Sequence, residues 1–262
     1  MLNTIKGKKW MWLIMSAMSI GLLWIYTALM PSLASQQEAI NELLTSFPKE
    51  FLAVFNVDTA SMNSFAAVIA SKQFDIVWTI MVIALALSLA SGNLASEVEK
   101  GTMQILLALP LSRKQIYFSK YMGGLIVITS FVMLSILAGI PLAELYDVDY
   151  QAVNFYYFTL NGLGFSIFIY SLSFFTSAIA SESSKATFPV IGFMLVSYIV
   201  NIIALLKEEL SDLRYFSVFN YYSPSKTLIK GQPELETLVM FIIFGAILTV
   251  AGLRIFMKRD IS

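Results

Sequence analysis

The sequence predicts an all-α integral membrane protein with six transmembrane helices, and three observations carry that prediction. Hydrophobic residues make up 58% of the chain and charged residues only 13%, with a mean hydropathy of +0.75; about a quarter of an ordinary soluble domain is charged. Apolar runs long enough to cross a bilayer recur along the chain. The charges between them also segregate: the N-terminal stretch, residues 96–120, residues 181–186 and the tail together hold 11 Lys and Arg against 4 Asp and Glu, and the remainder holds 6 and 13. By the positive-inside rule the first set faces the cytoplasm, which places both termini there.

Residues 11–30 are uncharged and follow Lys6, Lys8 and Lys9. Twenty helical residues rise about 30 Å, one bilayer core. A cleaved leader is the rival reading, with Ser32 and Ala34 as small residues near a cleavage point, but the length of the run favours a retained span. An outer segment, 31–73, follows. Within it Ile40, Leu43, Leu44 and Phe47 keep helical spacing, Pro48 interrupts, and Phe51, Leu52 and Phe55 resume. Two amphipathic helices on the membrane surface and a small cap packed on the span ends both fit this pattern.

The second span, 76–95, carries Ala84, Ser88 and Gly92 at intervals of four, a small-residue stripe that lets another helix approach closely, within the chain or across a dimer. The third, 121–143, opens with Gly123 and Gly124, ends at Pro141 and leads to an acidic loop. Aromatic and hydroxyl side chains fill the fourth, 154–180, where Asn161, Tyr170, Ser173 and Ser177 are the candidates for a polar substrate path; plain packing is the other reading. The fifth is 187–206, with Pro189 in its first turn. A second outer segment, 207–233, holds Tyr215, Phe216, Phe219, Tyr221 and Tyr222 as an interfacial aromatic cluster would. The sixth span is 237–253. The whole chain, 1–262, reads as one membrane domain.

Several function classes are disfavoured. Cysteine and histidine are absent, which removes thiolate and imidazole metal sites and their nucleophile–base pairs. No catalytic, cofactor or metal site is expected in this chain. None of the six span cores contains Asp, Glu, Lys or Arg, so a proton-coupled carrier or an intramembrane hydrolase lacks its usual groups, although sodium held by carbonyls and hydroxyls stays open. There is no phosphate-binding GxxxxGK[ST] loop, and no soluble stretch is long enough for an ATPase. Nothing points to nucleic acid.

Residues 96–120 are the most informative stretch. Ser96 and Glu99 have capping-box spacing, and Ser112 and Gln115 repeat it after Pro110. That predicts a short helix over 97–109, a break, and a new helix running into the third span. On the short helix Glu97, Lys100, Gly101, Gln104 and Ala108 share one face, while Val98, Thr102, Ile105, Leu106 and Leu109 share another. Glu99 projects from the apolar side and needs a partner, either Ser96 as its cap or a cation such as Arg113. A surface helix that merely reverses the chain is the bland alternative.

Glu99-Lys100-Gly101-Thr102, then Leu106-Leu107, then Leu109-Pro110-Leu111-Ser112-Arg113 and Lys120 resemble the pattern of ABC-transporter permease subunits of the type-2 exporter family. The closing Lys258-Arg259-Asp260-Ile261 resembles tails of that family, whereas Met103-Gln104 departs from it. The resemblance implies an ATP-driven exporter of the cell membrane, here a bacterial plasma membrane, in which two permease chains pair and each docks on a separate cytoplasmic ATPase that binds ATP and Mg²⁺. It makes 97–109 the coupling helix. Glu97, Lys100, Gly101 and Gln104 are then its contact residues, Glu99 and Arg113 brace it, Thr102 belongs to the same coupling set, and a bulky residue at Gly101 uncouples hydrolysis from transport. The charge-free spans and amphipathic outer segments favour an amphipathic peptide or lipid-like cargo; an ion-coupled carrier and a non-transporting scaffold are the alternatives.

Overall fold

The computed structural model describes residues 2–35, 46–47 and 64–260. Six of its helices are long and apolar enough to span a membrane. They belong to α1 (Leu2–Ser35), α2 (Phe65–Val68, a π-helical stretch Ile69–Val77, then Trp78–Asn93), α5 (Arg113–Leu137), α7 (Ala152–Ile179), α8 (Ser183–Leu206) and α10 (Leu235–Lys258). Short elements lie between them: α3 (Ala95–Glu99), α4 (Thr102–Leu107), α6 (Gly139–Leu145) and α9 (Val218–Tyr221). Hydrogen bonds described below gather the start of α1 and α5 with the ends of α2, α7 and α10 on one face, here the terminal face.

Helix α7 is the centre of the bundle and packs against α10, α5, α2 and α8. Small residues permit the closest approaches. A Cβ on Gly124 of α5 would stand 2.2 Å from the Tyr170 hydroxyl, so a side chain there would collide with α7. Trp78 is fully buried. Its ring stacks on Phe131 and Tyr222 with centroids 6.3 and 5.9 Å apart, and its Nε1 donates to Ser135 Oγ at 2.8 Å. That combination satisfies both the apolar body and the polar edge of the indole.

The π-helical stretch has its own polar support. Tyr222 OH and Thr79 Oγ1 both donate to the Phe74 carbonyl, at 2.9 and 3.1 Å. Side-chain donors of this kind stabilise irregular backbone inside a membrane bundle. One residue earlier, Gln73 Nε2 donates to the Ser19 carbonyl and hydroxyl, both at 3.2 Å, tying α2 to α1.

Several boundaries differ from the sequence reading. Residues 31–35 continue α1, and 65–73 belong to α2, so the outer segment is shorter than 31–73 at both ends. The amphipathic helices expected around 40–55 lie outside the described residues, apart from a turn at 46–47. The second membrane helix extends over Phe65–Glu99 and therefore includes Lys72 and Asp75, which corrects the expectation of charge-free spans. Helix α8 starts at Ser183, placing Pro189 inside the helix rather than in its first turn. The third span begins at Arg113 and continues through Pro141 to Leu145. In the 207–233 segment, Tyr215 and Phe216 are exposed as an interfacial cluster requires, but Tyr222 is buried because its hydroxyl reaches the Phe74 carbonyl.

Candidate functional site

The stretch between α2 and α5 does not form one helix over 97–109. Helix α3 stops at Glu99, Gly101 takes a left-handed conformation (φ +71°), and α4 begins at Thr102. The sequence explains this locally. Glycine adopts positive φ without the Cβ clash that other residues meet, so it ends a helix readily. Gly101 N donates to the Val98 carbonyl at 3.0 Å, and Thr102 Oγ1 donates to the Glu97 carbonyl at 3.2 Å. Gly101 and Thr102 together satisfy carbonyls at the end of α3.

The expected Ser96–Glu99 capping box is not formed. The chain kinks at Leu94 (φ −123°, ψ −67°), which makes Leu94 the residue before α3 and leaves Ser96 inside the helix. Ser177 of α7 spans the kink instead: its Oγ donates to the Ala90 carbonyl at 2.9 Å and accepts from Ala95 N at 3.1 Å. The second box forms as expected, with Ser112 and Gln115 reciprocally capping α5.

Two carboxylates brace the turn. Glu97 points inward to Lys120 of α5, with 2.5 Å between Oε2 and Nζ and side-chain exposures of 27% and 11%. At that burial the pair is a fixed contact rather than a mobile surface one. Glu99 accepts from the backbone N–H of Ser183, at 3.0 Å. It therefore caps the start of α8, where a negative charge also meets the positive end of the helix dipole. Arg113, the other expected partner of Glu99, turns the opposite way and donates to the carbonyls of Phe256, Met257 and Arg259 at the end of α10. Arg259 repeats the arrangement on α7, donating to the Ala178 and Ala180 carbonyls at 3.0 and 2.8 Å and to Ser181 Oγ at 2.6 Å. Burial lowers the Arg259 pKa from its usual value.

What the turn presents outward differs from the helical-wheel expectation. Met103 is fully buried and pins α4, while Lys100, Thr102 and Gln104 are exposed. Ile105 is 70% exposed, and Leu109 and Leu111 are also uncovered. The interruption at Gly101 changes the direction of the chain, and Ile105 and Leu109 point away from the bundle. The result is an apolar ridge beside a polar turn. Next to it a cavity of about 560 Å³ is lined by Lys8, Gly92, Asn93, Glu97, Gln115 and Lys120.

The small-residue stripe on α2 receives α1. Lys8 Nζ donates to Ser88 Oγ at 2.9 Å, and a Cβ on Gly92 would stand 3.1 Å from Lys8 Cε. Ala84, one turn away, is partly buried. The four polar residues of α7 are all buried. Tyr170 OH donates to the Tyr121 carbonyl at 3.0 Å and Ser173 Oγ to the Ile169 carbonyl at 2.8 Å, while Ser177 stitches the Leu94 kink. Asn161 donates to the Tyr221 carbonyl at 3.4 Å, and its buried Oδ1 has no partner among the described residues. Sequence reasoning placed Lys120 and Arg259 in motifs without assigning their contacts; no linear spacing links Glu97 to Lys120 or Arg259 to Ala178.

No curated protein matches the chain significantly. A family model described as ABC-2 family transporter protein matches residues 4–261, from the start of the first membrane helix to beyond the end of the last. With six membrane-length helices and a braced loop between the second and third of them, the chain belongs to the ABC-2 transporter family.

Proposed function

We propose that this chain is the permease subunit of an ATP-driven exporter, pairing with a second permease chain and docking through the Gly101 turn onto a separate cytoplasmic ATPase that holds ATP and Mg²⁺. The observation that carries the reading is the union of an exposed ridge (Ile105, Leu109, Leu111) with rigid ties to three membrane helices. Lys100, Gly101, Thr102 and Gln104 form the polar part of the contact. Glu97 and Glu99 act as braces behind it, and Arg113 holds the start of α5 to the end of α10.

The mechanism follows from those ties. When nucleotide draws the partner ATPases together, a displacement of the turn reaches α5 through Glu97–Lys120, α8 through Glu99–Ser183 and α2 through the continuous chain. Stiff contacts transmit displacement, whereas a solvated loop would absorb it, and a two-state rearrangement of α2, α5 and α8 opens the path between the paired chains. The cargo is an amphipathic peptide or lipid-like molecule, and Asn161, with its unused acceptor, is the strongest of the α7 candidates for contacting it.

A detergent pull-down with this chain as bait tests the docking. A bulky residue at Gly101 adds backbone strain to any loss of contact, because of its positive φ. Ile105→Glu is the cleaner variant, since that side chain is exposed. Wild type should retain a phosphate-loop ATPase and Ile105→Glu should lose it at unchanged melting temperature. Equal recovery with both would exclude this ridge as the docking face.

A further inference from the structure

Asp75 lies in the π-helical stretch of α2 and opens onto a groove between α2 and α8. The groove has a volume of about 320 Å³, and its walls include Ile76, Ile80, Ile83, Ile191 and Leu195. Tyr198 and Phe219 close one side as an edge-to-face pair with centroids 5.3 Å apart. Ile80 and Leu195 are 61% and 57% exposed, so the groove is open sideways to whatever surrounds the bundle.

Against that apolar lining Asp75 is chemically out of place. It is half-buried, and among the described residues it makes no hydrogen bond or ion pair. The neighbouring hydroxyl of Thr79 is already committed to the Phe74 carbonyl, and Lys72 on the same stretch is exposed and does not pair with it. A carboxylate held beside apolar walls without a partner is costly, and a positive group placed against it removes that cost. A bare metal ion does not fit, because one carboxylate among isoleucines cannot replace a hydration shell. An anionic amphiphile would be repelled.

We propose that this groove binds a lipophilic cation. Its ammonium or phosphonium head sits between Asp75 and the aromatic pair, where a ring face adds cation–π attraction, and its hydrocarbon lies along Ile80, Ile83, Ile191 and Leu195. The lateral opening admits such a molecule directly from the lipid phase. Binding itself does not depend on the exporter reading; only a role of this ligand as cargo does.

The test uses the full chain, without an ATPase, in phosphatidylcholine nanodiscs, so that its failure and a failure of ATPase docking are separate results. Bound radiolabelled tetraphenylphosphonium is measured, with dodecyltrimethylammonium and dodecyl sulfate as competitors below their micellar concentrations. Dodecyltrimethylammonium should displace the probe and dodecyl sulfate should not. Asp75→Asn, which keeps shape and removes charge, should weaken binding at least about tenfold, and Asp75→Glu should retain most of it. Equal binding by wild type and Asp75→Asn, or equal competition by the two amphiphiles, overturns the proposal. Because the chain has no cysteine, Leu195→Cys gives an independent readout. Protection of its thiol from alkylation by the probe supports the site, whereas disulfide-linked dimers that form through it and exclude the probe would show that a second copy fills the groove.

Discussion

Asp75 and Glu97 lie on the same membrane-length helix, Phe65–Glu99, and are treated in opposite ways. Glu97 meets Lys120 at 2.5 Å, on a face where Glu99, Arg113 and Arg259 each also have backbone or side-chain partners. Asp75 meets isoleucines and an aromatic pair. A charge with a partner inside the fold serves to hold elements together; a charge left without one among the described residues is available to something outside the fold. Under the proposed function, the braced end would transmit movement, and under the proposed cation site the unpaired end would select a ligand.

That contrast is most severely tested by removing the partner at the braced end. Lys120→Met leaves Glu97 without compensation and should cost about 2–3 kcal/mol, seen as a lower melting temperature in detergent. Adding Glu97→Gln to that variant should recover part of the loss; no recovery would mean that Lys120 acts by packing alone. Gly101→Ala comes next, at about 1 kcal/mol from forcing a Cβ into left-handed backbone, with no steric clash to add because none of the described residues comes within 4 Å of that Cβ position. Smallest is Asp75→Asn, which should change stability by less than about 0.5 kcal/mol or raise it. A loss at Asp75 as large as at Lys120 would erase the distinction.

The number of helices, their order and the gathering of both termini on one face were legible from hydropathy and charge, because each span must satisfy the bilayer on its own. Span ends were less so. A hydropathy window stops at the first charge, so it began α2 after Asp75, although the helix already runs from Phe65 and carries the acid within it. The α5 capping box was readable because its partners are three residues apart, whereas the α3 box failed for a tertiary reason: Ser177, distant in sequence, took over at the Leu94 kink. Helical-wheel reasoning assumed an uninterrupted helix through Gly101, whereas the left-handed glycine divides the stretch into α3 and α4. Glu97 and Glu99 stood out in the sequence as charges within the loop, but their partners, Lys120 and Ser183, belong to other helices and leave no mark in local spacing.

The two arginine ties also bear on the order in which the bundle can close during synthesis. Arg113 bonds to carbonyls of residues 256–259, and Arg259 bonds to carbonyls of residues 178 and 180. Helices α5 and α7 enter the membrane long before those partners exist. Glu97–Lys120 and Ser177 can already join those ends to the second span, but the seams that α10 closes stay open until the last membrane helix has left the ribosome, so a nascent chain arrested before Arg259 lacks both arginine ties.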